Sequence, residues 1–193
     1  MRKPLAPEPF AELQYNNGMD TPSPNAAAIS AFAALSNPEA RWLILGSMPG
    51  VASLQAQQYY AHPRNAFWHI MQDLFGTAPA PETYKQKIAL LRTAKVALWD
   101  VLAQCKRPGS LDANIDRNTV VCNDFNSFLA KHRKLEKIAF NGKAAEQLFN
   151  KHVVPDIELP AGTTLVSLPS SSPAMASLNM QQKACAWRSA LFT

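Results

Sequence analysis

The sequence predicts an α/β fold of three layers, with a central, mostly parallel four-stranded sheet between two layers of helices. Three observations lead there. Four short apolar runs recur along the chain, stretches of helical character separate them, and each run is apolar throughout rather than alternating. Short continuous apolar runs fit strands buried on both faces, and strands that alternate with helices build parallel sheets flanked by helices.

Taken in chain order, residues 1–24 are rich in proline and polar residues and read as an arm packed on the surface. Residues 25–193 then form one domain. The alanine-rich stretch 25–36 predicts a helix, closed by Pro38. The four strands are Trp42-Leu43-Ile44-Leu45, Val96-Ala97-Leu98-Trp99, Ile138-Ala139-Phe140 and Thr164-Leu165-Val166-Ser167-Leu168. Helices are expected over 66–75, 84–92, 124–132 and 142–151, with a closing helix over 179–191. No repeat, low-complexity tract or second domain is visible.

Composition excludes several classes. A chain of 193 residues, 47% hydrophobic, buries a sizeable core and is not disordered. No apolar run is long enough to span a bilayer. The segment Met1-Arg2-Lys3-Pro4-Leu5-Ala6-Pro7 is basic without an apolar core behind it, so a cytoplasmic protein with no secretory signal is expected. Cys105, Cys122 and Cys185 fit neither a zinc spacing nor a redox pair and are read as reduced thiols, with no metal and no cofactor. The net charge of +5 is compatible with nucleic acid but does not point to it. The densest basic run, Lys131-His132-Arg133-Lys134, sits at a helix end, where cations complement the dipole, and reads as a solvated face.

In an open parallel sheet, ligands bind beyond the carboxyl ends of the strands. Four segments fall there: Gly46-Ser47-Met48-Pro49-Gly50, Asp100, Asn141-Gly142-Lys143, and Pro169-Ser170-Ser171-Ser172-Pro173. The first is a tight turn whose backbone can approach a flat ligand closely. Between the first two strands lies Gln58-Tyr59-Tyr60-Ala61-His62-Pro63-Arg64-Asn65-Ala66-Phe67-Trp68. Phe67 and Trp68 belong to the core. Asn65 can cap the helix that follows or hold a water, because its amide both donates and accepts. The Ser/Pro segment suits phosphate contacts, and Ala174 or Met175 could fill the gap left by an extruded base.

These motifs, in this order, resemble the uracil-DNA glycosylase superfamily over roughly residues 41–178, and within it the hypoxanthine-DNA (deoxyinosine) glycosylase branch. Gly46 to Gly50 is similar to the superfamily's first motif, and Leu168-Pro169-Ser170-Ser171-Ser172-Pro173 to its last. Tyr60 to Trp68 is similar to a run shared with mismatch-specific uracil glycosylases. Two departures stand out. The Asp or Asn that most members carry in the first motif is replaced here by Ser47 or Met48, and residues 168–176 contain no His. The hypoxanthine branch has this pattern, with the asparagine equivalent to Asn65 in the key role.

The resemblance implies a monofunctional DNA glycosylase of base excision repair. It would flip a deaminated base, hypoxanthine first, out of DNA and hydrolyse its N-glycosidic bond without a metal. Asn65 is then the catalytic residue. Gly46, Ser47, Met48, Pro49, Gly50, Tyr60, Asp100 and Asn141 bind the base. Ser170, Ser171, Ser172, Ala174 and Met175 bind DNA. The partner is DNA containing a deaminated base, and one copy of the chain suffices. Three rivals remain: a uracil or mismatch glycosylase, a non-catalytic binder of damaged DNA with the same fold, and a serine hydrolase built on Ser47. The last lacks the G-x-S-x-G elbow.

Overall fold

The computed structural model describes residues 27–192. The arm expected over 1–24 lies outside them. Four parallel strands, β2 (Trp42–Gly46), β3 (Val96–Asp100), β6 (Lys137–Asn141) and β7 (Thr164–Leu168), form the central sheet in the order β3-β2-β6-β7. Each extends one of the four apolar runs by two residues or fewer.

The continuous apolar character of β2 has a direct structural cause. Leu43 and Leu45 face one core, and Ile44 faces the other, all of them fully buried. The first core is completed by α4 (Phe125–Lys131) and α5 (Lys143–His152), through Phe125, Phe128, Leu148 and Phe149. The second is completed by α2 (Phe67–Phe75), α3 (Tyr84–Thr93) and α6 (Met180–Phe192), through Phe67, Ile70, Met71, Leu91 and Trp187. The three expected layers are therefore present. Strand β7 departs from the expectation of burial on both faces, because it is the outer strand and Leu165 is exposed.

Helix boundaries follow local chemistry. Thr83 and Gln86 close a reciprocal capping box at the start of α3. The Asp124 carboxylate accepts from Ser127 N to open α4, and Asn179 does the same for Gln182 N at α6. At the end of α4, His132 is buried and stacked on Phe128, with Nδ1 2.7 Å from the Phe128 carbonyl. The basic run there is thus solvated only in part.

The helix expected over 25–36 is not formed over the described residues. Ala28–Ser30 is instead a strand, β1, antiparallel to β4 (Leu102–Lys106), with Ile29 opposite Cys105. Leu35 then pairs with Leu98 on the outer edge of β3. Alanine's helix preference amounts to only tenths of a kcal/mol per residue, roughly, and pairing along an open strand edge outweighs it. With β5 (Val121–Cys122), β1 and β4 make a small antiparallel sheet that the apolar pattern does not reveal. A six-residue helix, α1 (Val51–Ala56), also goes unpredicted; it begins directly after Gly50.

Candidate active site

The four parallel strands end in register. Gly46 pairs with Asp100 and Asn141 with Leu168, so the segments beyond them emerge side by side. They surround a cleft of about 330 Å³, within the range of roughly 300–1,000 Å³ usual for small-molecule sites. Of the residues singled out from sequence, Gly46, Ser47, Met48, Pro49, Gly50, Tyr60, Asn65, Asp100, Asn141, Ser170, Ser171, Ser172 and Ala174 all line it. Met175 does not.

Asn141 ties the cleft together. Its Nδ2 donates to the Tyr60 hydroxyl and to Ser171 Oγ, both at 2.8 Å, and its Oδ1 accepts from Ser171 N at 2.7 Å. Neither N–H is left over for a flipped base, so this amide fixes Tyr60 and the last loop rather than touching a ligand in this arrangement. Gly142 follows it with φ +99°, and a Cβ there would meet the Ser170 side chain at 2.9 Å. Glycine is needed at this position both for its backbone and for its missing side chain.

The last loop is clamped from three sides. The Ser171 carbonyl accepts from Ala66 N, Trp187 Nε1 donates to the Pro169 carbonyl, and Lys183 Nζ donates to the Ser172 carbonyl. Lys183 and Trp187 are both buried in α6. Ser171 is itself fully buried, which corrects its assignment to phosphate contacts: its hydroxyl is committed inside the protein. Ser170 and Ser172 are half-buried, and their Oγ atoms accept from backbone N–H groups within the loop. Ala174 is exposed at the rim.

Tyr60 has φ +52° and stacks on Phe67 at 4.1 Å between ring centroids. One ring face is thereby taken. Burial, and next the nearby Asp100, raise its hydroxyl well above the ordinary phenol range, so it stays protonated. Asn65 precedes the N-cap of α2, which is Ala66, and closes the turn into the helix: its Oδ1 accepts from Phe67 N at 3.0 Å. Among the described residues, no protein group is recorded as taking a hydrogen bond from its Nδ2.

Asp100 is the chemically distinctive group. Its side chain is buried, and Oδ2 has no hydrogen-bond partner. Burial pushes its carboxyl up to about 7; the Tyr59 hydroxyl and the Arg107 guanidinium pull it down, and Asp112 pushes it up further.

Sequence reasoning missed one wall altogether. No role was assigned from sequence to the segment Arg107-Pro108-Gly109-Ser110-Leu111-Asp112, yet Ser110, Leu111 and Asp112 line the cleft. The Arg107 side chain is wholly buried and donates to the carbonyls of Met48, Pro49 and Gly109. Ser110 Oγ accepts from Val51 N. The first-motif turn is thus latched to this segment. The only sequence signal for it was an Arg and an Asp bracketing a Pro-Gly turn. Ser47 Oγ donates to Asp112 Oδ1 at 2.6 Å. The hydroxyl faces a carboxylate, not an imidazole, which removes the geometric basis for a serine hydrolase.

A family model of the uracil DNA glycosylase superfamily matches residues 33–193. This chain belongs to the uracil DNA glycosylase superfamily. Two curated relatives named hypoxanthine DNA glycosylase are similar to it. That of Methanosarcina acetivorans is 37% identical over 103 residues, 53% of this chain and 64% of the relative. That of Methanosarcina barkeri is 36% identical over 101 residues, 52% of this chain and 63% of the relative. The aligned part thus spans less than two thirds of either relative. A solution NMR structure of an M. acetivorans protein, described as a candidate uracil DNA glycosylase, superposes with a TM-score of 0.67 at 30% identity. It covers 84% of this chain and 98% of its own. The superfamily expectation and the α/β fold expectation both hold.

Proposed function

We propose that the chain is a monofunctional DNA glycosylase that hydrolyses the N-glycosidic bond of a flipped deaminated base, with hypoxanthine as its substrate. The observation that carries this reading is the convergence of all three superfamily motifs on one cleft at the carboxyl ends of the parallel strands. The names of the two curated relatives support hypoxanthine over uracil. The chain acts as a monomer in the cytoplasm on DNA that holds the damaged base, and as one domain from residue 25 onward.

A base within a duplex is out of reach, so it must be unstacked, and weak pairing of a deaminated base lowers that cost. The free face of Tyr60 stacks on the extruded base, a contact typically worth about 1–3 kcal/mol. The backbone of residues 46–50 lies against its edge. Deamination of adenine turns N1 from an acceptor into an N–H, and deamination of cytosine does the same to N3. An acceptor-only carboxylate at the cleft floor matches that change, and the unpartnered oxygen of Asp100 fills the role. Nδ2 of Asn65 holds the attacking water and the sugar. Ser170, Ser172 and Ala174 meet the DNA at the rim.

The test is base release from duplexes containing hypoxanthine, uracil or xanthine, with chelator present, by the wild type and Asn65→Ala. Hypoxanthine release that survives chelator and collapses in Asn65→Ala supports the reading. Release of uracil alone moves the protein to a uracil or mismatch glycosylase. Intact binding with no release makes it a damaged-DNA binder.

A further inference from the structure

Hydrolysis at the sugar releases a proton from the attacking water; Tyr59 and Tyr60 in the cleft stay protonated, which leaves four polar side chains to weigh as its acceptor. Asn65 is not a base, and its Oδ1 already accepts from Phe67 N. The Nδ1 atom of His62 accepts from Arg64 N. The unpartnered oxygen of Asp100 is buried and is already assigned to the base N–H. Asp112 differs from all three. Its side chain is 38% exposed and lines the cleft. One oxygen, Oδ1, accepts from Ser47 Oγ at 2.6 Å and lies 3.7 Å from Arg107. No hydrogen bond to the other oxygen is recorded among the described residues.

That arrangement is held firmly. Ser47 is buried at the end of β2, and Arg107 is buried beneath the turn it latches. A carboxylate pinned through one oxygen and open at the other is oriented to accept from a single water.

The geometry points to Asp112 as the acceptor of the water proton, with Ser47 as the residue that positions it. This inference rests on the glycosylase reading. In the step, a lone pair of the water oxygen forms the new bond to C1′. The C1′–N bond breaks, and its electron pair leaves with the base. The water proton passes to the open oxygen of Asp112. The departing base anion takes its proton from solvent, and Asp112 returns its own to solvent. Nothing is oxidised or reduced.

The experiment measures single-turnover release of hypoxanthine from a duplex by the wild type, Asp112→Asn, Asp112→Ala and Ser47→Ala. DNA dissociation constants and melting temperatures are measured alongside. Asp112→Ala is expected to lose at least 100-fold in rate, the range of general-base contributions being about 10²–10⁴-fold, while DNA affinity stays within about threefold. Added formate, a carboxylate small enough to enter the vacated space, restores part of the rate to Asp112→Ala. It does nothing for Ser47→Ala, which loses about tenfold by releasing the carboxylate's orientation. Wild-type release with an unimpaired Asp112→Ala overturns the role of Asp112 and leaves the glycosylase reading standing. A loss matched by weaker DNA binding and deaf to formate also overturns it, since Asp112 then only holds the loop. A wild type that releases no base overturns both.

Discussion

Gly46 and Asp100 are partners across neighbouring parallel strands, and a Cβ on Gly46 would stand 2.5 Å from Asp100 Oδ1 and 3.1 Å from the Tyr60 hydroxyl. The missing side chain is the space these two groups occupy. Gly46→Ala is therefore expected to displace Asp100 and Tyr60 together, lowering base release at least tenfold. Overpacking of this kind costs about 1–3 kcal/mol, visible as a lower Tm in thermal melts. An unchanged rate in Gly46→Ala would show that neither displaced group touches the base.

Asp100 makes stability depend on pH in a definite direction. Its carboxyl is raised to about 7 in the folded protein, from an ordinary 3.8. Between those values the unfolded chain has lost the proton and the folded chain keeps it. The contribution is complete below the ordinary value and disappears as pH rises through about 7. Relative to the wild type, Asp100→Asn, neutral throughout, should gain about 1–3 kcal/mol of stability as pH rises from 5 to 8. Melts at the two pH values check this. In base release, the ionised carboxylate accepts the base N–H, so the wild-type rate rises from pH 6 to pH 8 and the variant's stays flat.

Asn65 combines a turn-closing hydrogen bond with the proposed chemistry, and two substitutions separate them. Asn65→Ala removes the acceptor for Phe67 N and should cost about 1 kcal/mol of stability. It should also cost at least 100-fold in base release, as losing one well-aimed donor does elsewhere. Asn65→Asp keeps an acceptor for Phe67 N and loses the Nδ2 donor. It should recover Tm without recovering the rate. Recovery of both would mean that Asn65 only closes the turn into α2.

Asn141→Leu removes three hydrogen bonds at once. It leaves the Ser171 N–H and hydroxyl without partners in a buried place, a loss of about 1–3 kcal/mol for each unsatisfied group. Hydrogen exchange at the Ser171 amide should accelerate, and DNA affinity should fall as the last loop loosens. Protection of that amide equal to the wild type's would show that Ala66, Trp187 and Lys183 hold the loop without Asn141.

The sequence by itself determined the central sheet and five of the helices. Continuous apolar runs such as 42–45 state locally that both faces are buried, and caps such as Asp124 mark where helices begin. It also pointed to most of the segments that line the cleft, because strand ends in a parallel sheet share one edge. Only the tertiary structure decided that residues 28–30 form a strand, since the partner edge of β4 lies more than seventy residues away. The same holds for the wall built by Arg107 and Asp112. Their importance comes from contacts with residues 47–49, across a separation of about sixty positions, and no local pattern encodes that meeting. Asn141 and Ser171 show the same limit at finer scale. Their polar groups were legible as polar, but whether they face a ligand or each other depends on how two strand ends are set side by side.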